Sequence, residues 1–115
     1  MSSDQQSLVD ILVAARLLMS YVSGKTQEEF LADPQCQDAV IRRLEIIGEA
    51  SRRISAETRA RIPELNWKDM IAMRNFMIHE YNEVDLTIVW DTVQNSVPSI
   101  LRVIEPLLPL ADERK

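Results

Sequence analysis

A short segment at 74–81 combines four side chains that could handle a phosphodiester, in the order RNFMIHEY. Arg74 supplies a planar cation that can grip a phosphate through two parallel hydrogen bonds. His79 is the only histidine of the chain, and its imidazole exchanges protons near neutral pH. Asn75 and Tyr81 add a neutral amide and a phenol. Together these groups could bind a phosphate and perform acid–base chemistry without a metal ion.

Helical periodicity brings these four residues toward one face. In a helix that begins at Trp67 and turns by about 100° per residue, Arg74 points only about 20° away from Trp67, within an arc of apolar side chains. Tyr81 then lies nearly above Arg74, and Asn75 and His79 share the flank of the arc. A guanidinium in an apolar arc is costly unless it is paired or faces an opening.

Simpler explanations exist for each residue taken alone. Arg74 could be a buried cation paired with a carboxylate such as Glu45 or Glu49, because buried charges are usually paired. His79 could be an ordinary surface or core histidine, and Asn75 could hydrogen-bond to the backbone. The four residues together are more informative than any one of them.

Composition narrows the kinds of site and partner. Carboxylates are scattered along the chain and one histidine is too few for a transition-metal site, so we expect no metal and no cofactor. Cys36 is the single cysteine, which excludes an intramolecular disulfide and predicts a small buried apolar side chain. The net charge of −5 argues against a broad nucleic-acid surface, and therefore against a DNA-binding regulator. The 13 Lys and Arg residues still allow a local basic site.

The chain also lacks membrane and secretion signals. No apolar run approaches the roughly 20 residues that span a bilayer. Residues 1–6 are polar and lack the positively charged start of a secretion signal. We therefore expect a cytoplasmic protein that does not contact a membrane.

Four main helices are predicted to position the 74–81 segment, all within one domain that covers 1–115. Apolar residues recur at spacings of three and four in each of them. Their predicted ranges are 4–23, 34–54, 67–81 and 86–104. Short connections between such helices predict an all-α fold, an antiparallel four-helix bundle. Pro98 falls inside the last apolar stripe and is expected to kink the helix without ending it.

Local signals mark where the helices begin and end. Gly24 is expected to end the first helix. Thr26 and Glu29 have the spacing of a capping box, and Asp33 followed by Pro34 is typical of a helix start. Further N-caps are predicted at Asn66 and Asp85. The Ser55-Ala56-Glu57-Thr58 stretch could support one short helical turn.

The spacing Arg74-x4-His79-x-Tyr81, with Asn75 after the arginine, resembles the R-x4-H-x-Y signature of the HEPN superfamily, and specifically of the HepT-like toxins. Flanking residues match in the expected order. They are Gly48-Glu49-Ala50, Trp67, Val84-Asp85 and Val89-Trp90. Asn82 departs from the pattern, because many relatives carry an aromatic residue there.

The resemblance, which covers about 40–104, implies a HEPN-like bundle that forms a homodimer. The third helix of each subunit would line a shared cleft for an RNA strand, which would place Arg74 on a cleft wall. The implied activity is metal-independent endoribonuclease cleavage. His79 would activate the ribose 2′-hydroxyl or protonate the leaving oxygen, and Arg74 would hold the scissile phosphate. Asn75 would orient the phosphate or His79, and Tyr81 would shape the pocket.

A partner enzyme is implied as well. HepT-like toxins are typically paired with a small MNT-type nucleotidyltransferase antitoxin, which transfers AMP onto the motif tyrosine, here Tyr81. An added phosphodiester beside Arg74 would occupy the anion site and block RNA.

Two questions stay open at this point. The alternative function is a non-catalytic HEPN module, in which Arg74 and Tyr81 contact a nucleotide or serve dimerisation and interaction. The second question is the source of RNA affinity in an acidic chain. Four arginines of the second helix either gather near the cleft or form a solvated helix face: Arg42, Arg43, Arg52 and Arg53.

Overall fold

The computed structural model describes residues 2–75 and 85–108, and within them every regular element is helical. The first five helices are α1 Ser2–Val22, α2 Gln27–Leu31, α3 Pro34–Arg53, α4 Ala56–Arg61 and α5 Trp67–Ala72. The second described range contains α6 Leu86–Asp91, a π-helical segment Thr92–Ser96, α7 Val97–Ile104 and a 3-10 turn Glu105–Leu107. The predicted all-α class is confirmed, whereas the four-helix bundle stays a prediction.

The longest helices, α1 and α3, pack side by side in opposite directions. At one end, the Asp4 carboxylate near the start of α1 accepts hydrogen bonds from the residues that follow α3, including the Ser55 hydroxyl at 2.6 Å. At the other end, the Cys36 Sγ near the start of α3 lies 3.7 Å from the carbonyl oxygen of Tyr21. These two contacts make the pair antiparallel. Cys36 is buried, as predicted, and its burial raises the pKa of the thiol.

The predicted apolar stripes form the core. On α3, every residue of the expected seam is at most 2% exposed: Val40, Leu44, Ile47, Ser51 and Ile54. Ser51 fits within this seam because its hydroxyl donates to the Ile47 carbonyl one turn earlier, at 2.7 Å. Phe30 of α2 is fully buried, and its ring lies 5.3 Å from the ring of Trp90 on α6. That aromatic contact joins the short second helix to the last helical stretch.

The predicted end of α1 and several predicted helix starts are confirmed. Gly24 has a φ of +76°, the left-handed conformation that ends a helix and that glycine adopts without strain. Thr26 and Glu29 form both hydrogen bonds of the capping box. The predicted caps Asp33, Asn66 and Asp85 each accept a hydrogen bond from a backbone N–H in the first turn of their helix. The expected short turn after Ser55 is α4, and Ser55 itself caps it.

Pro98 lies inside the last helical stretch, which continues past it as predicted. The five residues before the proline-containing helix are π-helical. Because Pro98 has no N–H and its ring clashes with the carbonyl four residues earlier, a wider turn at this place relieves the crowding. The stretch ends after Ile104, where Pro106 lies in the 3-10 turn.

The third helix differs from its predicted range of 67–81. The α-helix ends at Ala72, since the N–H groups of Met73 and Arg74 bond to carbonyls three residues back, at 3.1 and 3.3 Å. This tighter turn places the Arg74 backbone against α3. Asn75 is helical again, and 76–84 lie outside the described residues.

Across 2–75 and 85–108, none of the helices combines the length and the apolar character that a membrane crossing requires.

Candidate active site

Arg74 is paired with Glu49 of α3. Its Nε donates to Oε2 of Glu49 at 2.8 Å. Both side chains are about one-third exposed, at 34% and 33%. Of the two carboxylates considered from the sequence, Glu49 is therefore the partner, while Glu45 pairs with Arg42 at 2.6 Å on the same helix. The pairing resolves the cost of placing a guanidinium beside apolar side chains, and the partial exposure keeps the cation accessible to a ligand.

The ion pair leaves one edge of the Arg74 guanidinium available. Glu49 engages Nε, and Nη1 and Nη2 make no hydrogen bond to any described residue. Those two nitrogens carry the donors that can meet two oxygens of a phosphate side by side. A carboxylate that holds Nε restricts the rotation of the guanidinium.

Glu49 is shared between two arginines. Its second oxygen, Oε1, accepts a hydrogen bond from Nη2 of Arg52 at 3.3 Å, one turn further along α3. The hydrogen bond from Arg52 and then the positive charge of Arg74 lower the pKa of Glu49 below its ordinary value of 4.5, against an opposing effect of burial. Glu49 is therefore ionised at neutral pH and can hold both cations.

Gly48, the residue before Glu49, permits the close approach that this pairing needs. A Cβ at this position would lie 2.5 Å from the backbone nitrogen of Arg74, 2.9 Å from the Arg74 Cβ and 3.0 Å from the carbonyl oxygen of Ile71. Contacts that short do not occur, so any side chain here would push the Arg74 turn away from α3. Only glycine allows the Arg74 backbone to rest directly on the helix that carries Glu49.

Two of the four predicted site residues, Arg74 and Asn75, lie within the described residues. Arg74 is followed by Asn75, whose exposed side chain makes no hydrogen bond to a described residue. His79 and Tyr81 lie outside the described residues. Neither the close contact at Gly48 nor the link from Arg52 to Glu49 was predicted from the sequence. An isolated glycine inside an otherwise helical pattern was the available signal for the first, because such a residue usually has a packing reason.

The four arginines of α3 do not form one basic face. Arg52 shares Glu49 with Arg74, whereas the neighbouring Arg53 turns toward α1 and lies 3.9 Å from Asp10. Arg42 is occupied by Glu45. Arg43 is partly buried, and its Nε makes no hydrogen bond. The sequence left two interpretations open, namely that these arginines gather near the site or that they form a helix face. Arg52 is consistent with the first interpretation and Arg53 with the second.

A groove lies between α5 and the π-helical segment. It consists of two adjoining cavities of about 230 and 210 Å³, which share Asp69, Met73 and Ser96 as lining residues. Glu64 and Asp69 contribute carboxylates, and none of the described residues that line the groove is a cation. The carboxylates of the groove would repel a phosphate, so the groove is a poor candidate for an anion site. In the described ranges, no three His, Cys, Asp or Glu side chains are close enough to hold one metal ion.

Comparisons with known proteins identify the family of the chain. Residues 11–107 match the family HepT-like, described as Ribonuclease HepT-like. The chain is 40% identical over 105 residues to a probable ribonuclease HepT of Thermococcus cleftensis, covering 91% of this chain and 96% of that protein. It is 39% identical over 98 residues to MJ1380 of Methanocaldococcus jannaschii, whose name proposes an RNase, covering 85% and 90%.

A third relative is bacterial. The TTE0752 protein of Caldanaerobacter subterraneus subsp. tengcongensis, also named as a proposed RNase, is 33% identical over 108 residues, which cover 94% of this chain and 96% of that protein. No solved structure matches significantly. The family match spans most of the sequence and includes Glu49, Arg74 and the whole 74–81 segment. This chain belongs to the HepT-like ribonuclease family.

Proposed function

We propose that this member of the HepT-like family is a metal-independent endoribonuclease that acts as the toxin of a toxin–antitoxin pair. The observation that carries the proposal is the Arg74 guanidinium, which Glu49 holds by Nε while its Nη edge stays available to a phosphate. An oriented, partly exposed cation of this kind suits a group whose negative charge increases during the reaction.

The proposed reaction uses the RNA's own 2′-hydroxyl as nucleophile. The 2′-oxygen loses its proton and forms a bond to the adjacent phosphorus, and the bond from phosphorus to the 5′-oxygen breaks. The products are a 2′,3′-cyclic phosphate and a 5′-hydroxyl, which takes up one proton. His79 accepts the first proton in its neutral form or donates the second in its charged form.

Arg74 and Asn75 would act on the phosphate itself. The Nη groups of Arg74 would bind the two non-bridging oxygens and stabilise the charge that develops on them. Asn75 follows directly, and its exposed amide could orient the same phosphate or His79. None of these steps requires a metal ion, because the cation and the proton carrier are both side chains.

The toxin role includes a homodimer and a partner enzyme. In a cytoplasmic homodimer, two copies of the 74–81 segment would face one RNA strand across a shared cleft. A cognate MNT-type nucleotidyltransferase would transfer AMP onto Tyr81. The added phosphodiester would then occupy the anion site at Arg74 and exclude RNA.

The direct test is RNA cleavage by chain produced without any nucleotidyltransferase, in the presence of a metal chelator. Unmodified protein should cleave RNA and leave 2′,3′-cyclic phosphate ends. Arg74→Ala should lose about 10²–10³-fold in rate, in line with the removal of one transition-state donor. His79→Ala should lose about 10²–10⁴-fold, the usual contribution of a general acid or base. Arg53→Ala is the matched control, because Arg53 pairs with Asp10 on α1.

Two results would overturn the proposal. If unmodified wild-type protein cleaves no RNA, the ribonuclease assignment is wrong for this chain, and the non-catalytic module that binds a nucleotide takes its place. If a chelator abolishes cleavage and a divalent ion restores it, metal independence is wrong. The pH dependence of the rate separates the two roles of His79, since a base loses activity below its pKa and an acid loses activity above it.

A further inference from the structure

Glu49 lies between two arginines that come from different parts of the chain. Each arginine bonds to a different oxygen of the carboxylate: Nε of Arg74 to Oε2 at 2.8 Å, and Nη2 of Arg52 to Oε1 at 3.3 Å. One carboxylate thus holds two guanidinium groups, one through each of its oxygens. The local charge is positive by one unit, although the whole chain carries −5.

Most of the N–H donors of Arg52 make no hydrogen bond to a described residue. Its side chain is 55% exposed, against 34% for Arg74. The bond to Glu49 uses one donor of Nη2, and Arg52 makes no further side-chain hydrogen bond to a described residue. A guanidinium carries five N–H donors. Arg52 can therefore keep its bond to Glu49 while its other nitrogens bind a second anion.

We propose that Arg52 binds a second phosphate of the RNA strand, next to the phosphate that Arg74 holds, and that Glu49 keeps the two cations at a fixed spacing. The inference rests on the proposed ribonuclease function, because it takes the Arg74 phosphate as its starting point. Because both cations bond to the two oxygens of the same carboxylate, they lie close enough together to contact phosphates that are near each other on one strand. Without Glu49, their mutual repulsion would drive the two side chains apart.

The arrangement also accounts for RNA affinity in an acidic chain. When a cationic side chain binds a phosphate, it releases a counterion from the nucleic acid, and this release supplies much of the affinity of a protein for single strands. A few cations that contact phosphates are therefore sufficient to bind RNA. The groove beside α5 carries carboxylates and cannot contribute cations. A pair of arginines at the cleavage site concentrates the positive charge where the strand must be held.

A purely structural role for Arg52 makes a different prediction. Arg52 and Arg53 both lie in the last turn of α3, where a cation is favourable beside the negative end of the helix. If that were their only role, replacing Arg52 or Arg53 would have the same effect on RNA affinity. Arg53 has nearly the same exposure as Arg52, at 54% and 55%, but pairs with Asp10 on α1. It is therefore a closely matched control.

The test measures binding of single-stranded RNA with 2′-O-methyl riboses, which lack the attacking hydroxyl and stay uncleaved. Affinity is measured over a range of salt concentrations for wild type, Arg52→Gln and Arg53→Gln, after thermal unfolding has shown that both variants fold. Each lost phosphate contact should reduce the slope of log affinity against log salt by about 0.7. Arg52→Gln should show that reduction, and Arg53→Gln should keep the wild-type slope.

Several results would overturn the inference. It is wrong if Arg52→Gln keeps the wild-type slope, if both variants lose the same amount, or if wild type does not bind the uncleavable RNA. Cleavage of ordinary RNA by the same proteins tests the underlying function separately. Arg52→Gln should raise KM more than it lowers kcat. If wild type cleaves no RNA while Arg52→Gln still shows a smaller salt slope than Arg53→Gln, that result would refute the ribonuclease function and still support phosphate binding by Arg52.

Discussion

Nε of Arg74 lies 2.8 Å from Oε2 of Glu49, a residue 25 positions earlier in the chain. Both side chains are one-third exposed, and exposed ion pairs contribute only about 0–1 kcal/mol to stability. The pair is therefore more important for orientation than for folding. Glu49 engages only Nε, and the Nη groups of Arg74 make no hydrogen bond to a described residue. In the proposed function, those groups bind the phosphate.

Glu49→Gln should reduce the rate of RNA cleavage and leave stability nearly unchanged. The amide keeps the size of the side chain and can still accept a hydrogen bond, but it no longer holds two cations by charge. We expect about a tenfold loss in kcat, which corresponds to about 1.4 kcal/mol of transition-state stabilisation. The measurement is steady-state cleavage of a defined RNA, together with the midpoint of urea unfolding.

Glu45→Gln is the control for that variant. Glu45 accepts from Arg42 on the same helix, with the same spacing of three residues that joins Glu49 to Arg52. Among the described residues, Glu45 makes no hydrogen bond or ion pair with Arg52, Arg74 or Asn75. Equal losses of kcat in Glu45→Gln and Glu49→Gln would show that a general change in charge is responsible, and would contradict the orienting role of Glu49.

Gly48→Ala should damage both folding and activity. Its Cβ would meet the Arg74 backbone nitrogen at 2.5 Å, so the turn that carries Arg74 must move away from α3. Overpacking of this kind costs about 1–3 kcal/mol. The displaced Arg74 would also lose its bond to Glu49. We expect lower stability in urea unfolding and, in protein that is still folded, at least a tenfold lower kcat at temperatures well below the transition.

Gly24→Ala separates those two effects. Gly24 has no atom within 4 Å of an added Cβ, but its φ of +76° makes alanine strained there. It should destabilise the protein by about 1 kcal/mol, the usual cost of a non-glycine residue in this conformation, without changing kcat. If Gly24→Ala lowers kcat as much as Gly48→Ala does, the effect arises from stability and not from the position of Arg74.

The sequence was sufficient for elements whose signals are local. The capping box at Thr26 and Glu29 and the start of a helix at Asp33 depend on residues within a few positions of each other, and the structure has them as predicted. The α3 seam was also predictable, because burial follows helical periodicity. The continuation past Pro98 followed from apolar residues on both sides of it, although nothing local indicated that the turn would be π-helical.

Contacts between distant residues limited the prediction of the site. Periodicity placed Arg74 on an apolar face and gave two candidate partners, but it could not distinguish Glu45 from Glu49. That choice depends on where α5 crosses α3. The crossing is set by Gly48, which lets the Arg74 backbone approach. The same contact accompanies the tight turn at Met73 and Arg74, which an uninterrupted helical pattern does not reveal.

Tyr81→Phe should separate modification from catalysis. When the chain is produced together with its cognate nucleotidyltransferase, wild type should gain one or more AMP units and lose ribonuclease activity. Tyr81→Phe should gain no mass and should still cleave RNA, because the phenol is the proposed acceptor and takes no part in the proton transfers. Intact-protein mass and peptide mapping provide the readout.

The other tyrosine of the chain provides the control. Tyr21 lies near the end of α1 and should not be modified, so Tyr21→Phe should behave as wild type. Modification of Tyr81→Phe, or a mass gain that maps to Tyr21 or to any residue other than Tyr81, would refute the proposed acceptor.

Acid should loosen the contact between α1 and the start of α4. Asp4 accepts from the backbone N–H and hydroxyl of Ser55 and from the Thr58 hydroxyl. The hydrogen bonds from Ser55 and Thr58 lower the pKa of Asp4 below its ordinary value of 3.8. A carboxyl whose pKa is lower in the folded state stabilises the protein above the ordinary value, and that stabilisation is lost as pH falls through the lowered pKa. Asp4→Asn should therefore be less stable than wild type at pH 7, and the difference should vanish in strong acid.

Asp38→Asn is the control, since exposed Asp38 makes no hydrogen bond to a described residue and should show no such difference. Urea unfolding from pH 7 down to about pH 2 measures both, and a difference for Asp4→Asn that stays constant over this range would contradict the ionised Asp4 contact.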